Sequence, residues 1–83
     1  MIWDVKWSGK SVKQLKKLDK TVARRIRDGV LGITDSPFQS VRRLTDSPFY
    51  RMRIGDYRII LDLQQGKLII FVVELDHRSK IYK

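Results

Sequence analysis

From Phe49 onward the chain settles into a period of two, and this pattern constrains the fold more than any other feature. Tyr50, Met52 and Ile54 alternate with Arg51 and Arg53. Gly55-Asp56 then fits a two-residue hairpin turn, although the favoured order at such turns is Asp-Gly. Tyr57 to Leu63 reads as the return strand, and Gln64 to Gly66 turns again. Lys67 to Leu75 is nearly all apolar, as expected of a central strand buried on both faces. Three successive strands joined by short turns must run antiparallel.

The first half follows different rules. Met1 to Trp7 is strand-prone, with Asp4 and Lys6 set between Ile2, Trp3, Val5 and Trp7. Ser8 is a suitable helix N-cap. Ser11 to Leu18 carries one apolar stripe, Val12, Leu15 and Leu18, at helical spacing. Asp19 can cap a second helix whose buried stripe is Val22, Ile26, Val30 and Ile33. Gly29 and Gly32 mark fraying or close packing in its last turns. Asp35-Ser36-Pro37 stops it. Thr34-Asp35-Ser36-Pro37-Phe38 recurs as Thr45-Asp46-Ser47-Pro48-Phe49, a match read as turn chemistry or coincidence, since two copies of five residues are too few for a repeat architecture. The expected fold is one α+β domain over residues 1–83: an N-terminal strand, a two-helix hairpin, then a three-stranded antiparallel meander. They form one sheet with the helices on one face, and the first strand lies beside the last.

Composition narrows the chemistry. Eighteen Lys and Arg against nine Asp and Glu give a net charge of +9, which favours a polyanionic partner. There is no cysteine and only one histidine, so disulfide frameworks, zinc ribbons, thiol catalysis and multi-histidine metal clusters are excluded. No carboxylate cluster suits two-metal hydrolysis, and no glycine-rich phosphate loop is present. Neither a metal nor another cofactor is expected. The longest apolar run, Leu68 to Val73, is far short of a membrane span. A cytoplasmic, reducing location with no membrane association is therefore expected.

The hairpin register gathers charge. If Gly55-Asp56 is the whole loop, Ile54 opposes Tyr57, Arg53 opposes Arg58 and Arg51 opposes Ile60. Directly opposed residues share a face, so Arg51, Arg53 and Arg58 should project together, away from the helices. Asp62 lies on the same side and is expected to neutralise part of this charge. A solvated strand face is the plain reading; a phosphate-binding face is the sharper one, because guanidinium donors match phosphate geometry. A second basic surface covers the helices, where nine Lys and Arg stand against one acid between Lys6 and Arg27. Lys10, Lys13, Lys17, Arg24, Arg42 and Arg43 are the expected contacts to RNA or a ribonucleoprotein.

His77, Arg78 and Tyr82 fall at or beyond the end of the last long strand. His77 can move protons near neutrality. Tyr82 can donate a phenolic proton or stack on a base. Arginine stays protonated, so its part is to neutralise charge on a phosphoryl oxygen. Metal-independent cleavage with a ribose 2′-hydroxyl as nucleophile fits this inventory, and it confines the substrate to RNA.

Two segments resemble a known family. Tyr50-Arg51-Met52-Arg53-Ile54-Gly55-Asp56-Tyr57-Arg58-Ile59-Ile60 is similar to the central signature of the RelE/ParE toxin superfamily, and Asp76-His77-Arg78-Ser79-Lys80-Ile81-Tyr82 to its C-terminal one. The helical hairpin fits as well, so the resemblance spans essentially the whole chain. It implies the toxin of a type II toxin–antitoxin pair, with an acidic, RelB-like antitoxin as partner. RelE-like members enter the A site of a 70S-type ribosome and cut the mRNA there, leaving a 2′,3′-cyclic phosphate and a 5′-hydroxyl. The resemblance puts Arg51 and Arg53 where that branch has basic residues at the scissile region, lysines in its best-known enzyme. It assigns Arg58 to the transition-state phosphate, Tyr82 to substrate positioning, Arg78 to the basic C-terminal motif and His77 to acid–base chemistry. Asp76 stands where that enzyme has a further arginine. ParE-like members share the scaffold but inhibit DNA gyrase without cutting RNA, and a toxin-derived binding module without activity is a third possibility.

Overall fold

Ser8 caps the first helix of the hairpin, as the sequence suggests. Its hydroxyl accepts from the Ser11 N–H at 3.0 Å and donates to the Val73 carbonyl at 2.6 Å. The computed structural model of the protein describes residues 2–77. Strand β1 (Asp4–Trp7) leads into helix α1 (Gly9–Lys16), and helix α2 (Lys20–Leu31) follows with Asp19 as its cap, accepting from Thr21 N at 3.0 Å. Lys13 and Lys16 lie in the last turn of α1, where the helix dipole favours cations. A short 3₁₀ turn at Pro37–Gln39 then leads to β2 (Arg42–Arg43), β3 (Tyr50–Ile54), β4 (Tyr57–Gln64) and β5 (Ile69–His77).

The five strands form one mixed sheet in the order β1-β5-β4-β3-β2. The meander is antiparallel and β1 lies beside β5, as the sequence led one to expect; the pairing of β1 with β5 is parallel. The two-residue strand β2 was not anticipated; it pairs Arg42 with Arg51 and Arg43 with Tyr50. The hairpin register is the expected one, with Arg53 opposite Arg58 and Ile54 opposite Tyr57. Gly55 takes φ +60° and Asp56 stays at negative φ, so Gly-Asp is the proper order for a turn in which glycine leads. The two copies of the Thr-Asp-Ser-Pro-Phe segment fold differently: the first enters the 3₁₀ turn, the second a turn with Asp46 at φ 55°.

The helices cover one face. Ala23, Ile26 and Val30 of α2, with Leu15 of α1, pack on Ile59, Leu61, Leu63, Ile70, Val72 and Leu75. Ile26, Val30, Ile59, Leu61, Ile70 and Val72 are at most 1% exposed, and each such side chain contributes about 1.5–3 kcal/mol through burial. Gly29 allows α2 this close: a Cβ there would lie 2.5 Å from Ile54 Cδ1.

β5 departs from the expected strand buried on both faces. Ile69 and Phe71 are only half-buried, because they point to the side the helices leave open. The register also slips by one: Ile60 opposes Glu74 while Leu61 opposes Val72, so Val73 is an extra, bulged residue. Beyond the reach of β1, which ends opposite Val72, side chains of the helical segment cover the edge of β5. Gln14 Nε2 donates to the Leu75 carbonyl and its Oε1 accepts from the Leu75 N–H, both at 2.8 Å.

Candidate functional site

The open face of the sheet carries rows of charge set by the strand register. One row is Arg53 of β3, Arg58 of β4 and Asp76 of β5; the next is Arg42 of β2, Arg51 of β3, Ile60 of β4 and Glu74 of β5. The three arginines anticipated from the hairpin therefore do share the face away from the helices. β2 adds Arg42 as a fourth. Arg42, Arg51 and Arg53 line an open depression of about 350 Å³ together with Ser40 and Met52.

The acid that meets Arg58 is Asp76 rather than Asp62. Arg58 Nη2 lies 3.6 Å from Asp76 Oδ2, close enough for an ion pair but long for a hydrogen bond. Asp62 accepts instead from Gln64 Nε2 at 3.0 Å. Register decides this: Asp76 sits directly across from Arg58, whereas Asp62 is four residues along the same strand. Among the described residues Arg58 Nε is buried with no hydrogen-bond partner.

His77 lies on the other side of the sheet. It opposes Tyr57, and the two rings meet edge to face with centroids 4.9 Å apart. The bulge at Val73 is the cause. Strict alternation from Phe71 would put residues 73, 75 and 77 on the arginine face; the extra residue sends Glu74 and Asp76 there and turns Leu75 and His77 toward the helices. Arg78 and Tyr82 lie outside the described residues. Among the described residues no three His, Asp or Glu side chains come together as a metal site.

The other expected contacts are spread over the surface. Lys10 donates to Glu74 Oε1 at 2.8 Å, and this hydrogen bond, with the carboxylate's charge, raises the Lys10 pKa. Arg43 donates from Nε to the Ser47 carbonyl at 3.3 Å and stands over the Tyr50 ring at 6.0 Å. Lys13 is exposed on α1, and Lys17 borders a shallow depression with Gln14 and His77. Arg24 is on the rim of an apolar groove of about 570 Å³ between the helices, floored by Trp7, Val12, Leu15 and Leu18. Among the described residues no helix is long and apolar enough to cross a membrane.

A helical hairpin on one face of a five-stranded mixed sheet is a fold that recurs in chains of known toxin–antitoxin complexes. The chain superposes on one from the RelBE2 toxin–antitoxin complex of Mycobacterium tuberculosis with a TM-score of 0.84 at 16% identity, covering 94% of this chain and 100% of that one. It matches one from the archaeal RelE–RelB complex of Pyrococcus horikoshii OT3 with a TM-score of 0.81 at 28% identity, covering 96% and 99%. For the intact RelBE complex of E. coli the TM-score is 0.77 at 19% identity, covering 90% and 95%. No curated protein sequence matches the chain. The profile described as "ParE toxin of type II toxin-antitoxin system, parDE" matches residues 5–82, and the chain belongs to that RelE/ParE superfamily of toxins.

Proposed function

We propose that the protein is a type II toxin that stops translation by cutting mRNA in the ribosomal A site. The observation that carries this reading is the gathering of Arg51, Arg53 and Arg58 on the sheet face opposite the helices. In the proposed reaction the ribose 2′-oxygen attacks the adjacent phosphorus and the bond to the 5′-oxygen breaks. The products are a 2′,3′-cyclic phosphate and a 5′-hydroxyl; a proton leaves the 2′-hydroxyl and one reaches the departing 5′-oxygen. Charge grows on the non-bridging oxygens in the transition state, and fixed guanidinium donors stabilise it there. Asp76 orients Arg58 for that task. Arg51, Arg53 and Arg42 hold the flanking backbone. Tyr82 and Arg78 complete the site from the segment after β5, as the family resemblance implies. His77 has no step in this scheme, since it packs against Tyr57 on the helix side.

The partner in this reading is an acidic antitoxin. The groove between the helices suits an amphipathic segment of such a protein, because its floor is apolar and its rim carries Lys16, Lys20, Arg24 and Arg27. The named complexes with RelB support the same assignment.

Primer extension on a defined message with purified ribosomes tests the proposal. The protein should cut within codons, and Arg58→Ala should slow cutting by about 100-fold or more. Tyr82→Phe should lower the rate as well. Intact message in the presence of the protein overturns the reading. The description of the matching profile as ParE favours a second one, inhibition of DNA gyrase. Filamentation with DNA damage, and loss of supercoiling by purified gyrase, would mark that activity. Continued translation with neither effect would mark a binding module without catalysis.

A further inference from the structure

The arginines occupy only one half of the open face. Across the sheet, β5 places Phe71 on the same side, directly opposite Asp62 of β4 and Lys6 of β1. Phe71 is half-buried and is not among the side chains packed on the core beneath the helices. It thus stands in the sheet interior with charged neighbours on both sides. A half-buried aromatic there keeps part of its ring available to a ligand.

Strand geometry sets its distance from the phosphate-binding half. Phe71 is two strands across from Arg51 and one row along, about 12 Å at the usual strand spacings. Ile60 lies between them but is only 4% exposed, so it offers a strand almost no surface. A single RNA strand held at the arginines can span that distance and reach Phe71. Exposed aromatics in mid-sheet are a recurring way to hold unstacked bases, because every base has a π-face.

The neighbours add a preference. Gln64 Nε2 donates to Asp62 Oδ2 at 3.0 Å and so fixes the carboxylate beside Phe71. An ionised carboxylate only accepts, and it has room for several donors. Cytosine N4, adenine N6 and the amino-bearing edge of guanine offer such donors, whereas uracil presents carbonyl oxygens on both sides of its single N–H. Lys6 supplies a cation for the phosphate that follows.

We propose that Phe71 is a base-stacking platform for single-stranded RNA, and that Asp62 beside it favours a base with an exocyclic amino group. This rests on the reading of the arginine face as an RNA-backbone site and names the specificity subsite next to it.

The test is fluorescence anisotropy in low salt with a labelled single-stranded RNA, in which one abasic nucleotide is walked along the strand. Phe71→Leu keeps an apolar side chain and removes the ring; Phe71→Trp keeps a ring. Phe71→Leu should weaken binding about tenfold, while Phe71→Trp should retain it. At one position the abasic nucleotide should weaken wild-type binding to a similar degree and cost Phe71→Leu nothing further. At that position cytosine, adenine or guanine should bind more tightly than uracil, and Asp62→Asn should narrow the gap. Wild-type affinity in Phe71→Leu, or an equal loss at every abasic position, overturns the inference. Ribosome-dependent cleavage is scored separately. A protein that stacks RNA on Phe71 yet cuts no message overturns the nuclease reading alone; one that cuts message and is indifferent to Phe71 overturns the stacking platform alone.

Discussion

Gln14 of α1 binds Leu75 of β5 through both backbone groups, the N–H and the C=O, each at 2.8 Å. A side-chain amide here substitutes for a neighbouring strand at the point where β1 has ended. The neighbouring residue, Asp76, is the one that holds Arg58. Gln14→Leu should therefore cost about 1–3 kcal/mol in urea unfolding, since two part-buried backbone groups lose their partners. Hydrogen exchange at the Leu75 amide should accelerate more than at Ile70. Unchanged protection at Leu75 would mean that the edge is held by other contacts.

Arg53 and Arg58 oppose each other across the hairpin, and directly opposed like charges destabilise a sheet. Arg53 is exposed, so removing it opens no cavity. Arg53→Thr should raise stability by about 0.2–0.5 kcal/mol. The same change should weaken RNA binding and reduce the slope of log affinity against log salt by about 0.7, the value for one phosphate contact on a single strand. Thermal melts and a salt titration of RNA affinity check the two halves. A variant that is both less stable and unaltered in its salt slope would remove the functional reason for tolerating the opposed pair.

How much of this could be read from the residues depends on local periodicity. The β3–β4 hairpin was legible because Arg51, Met52, Arg53 and Ile54 alternate without interruption up to a two-residue turn, which fixes register and face together. Ser8 and Asp19 were legible as caps because a short polar side chain before an apolar helical stripe has few other uses. β2 was not, since Arg42-Arg43 is too short to show a period. The bulge at Val73 was not, since Leu68 to Val73 is apolar throughout and has no alternation for an extra residue to interrupt. That one hidden residue decides which side Asp76 and His77 take. It therefore decides the acid that meets Arg58 and moves the single histidine away from the arginines.

Gly29 and Ile54 form a coupled contact between α2 and β3. Alanine at position 29 would gain helix propensity of about 1 kcal/mol but would press its Cβ on Ile54 Cδ1, and overpacking costs about 1–3 kcal/mol. Gly29→Ala alone should be neutral to mildly destabilising. Ile54→Val removes the Cδ1 methyl that stands in the way. Gly29→Ala in that background should be stabilising, and the double-mutant cycle should show a coupling of about 0.5–3 kcal/mol. Additive effects in urea unfolding would show that the helix shifts as a body and that the contact is not a close one.

Lys10 and Glu74 tie α1 to the acidic end of β5 by a hydrogen bond that raises the lysine's pKa in the folded state. A raised folded pKa means that the folded protein holds the proton more tightly than the unfolded chain. The stabilisation is then fully present below the ordinary lysine value of 10.5 and is lost as pH climbs through the raised one. Glu74→Gln should lower the melting temperature relative to wild type between pH 8 and pH 10 by a small margin that shrinks in high salt, because the lysine is exposed. Above the lysine's raised pKa the two proteins should melt together. A gap that stays constant through that range would assign the effect of Glu74 to packing and not to its charge.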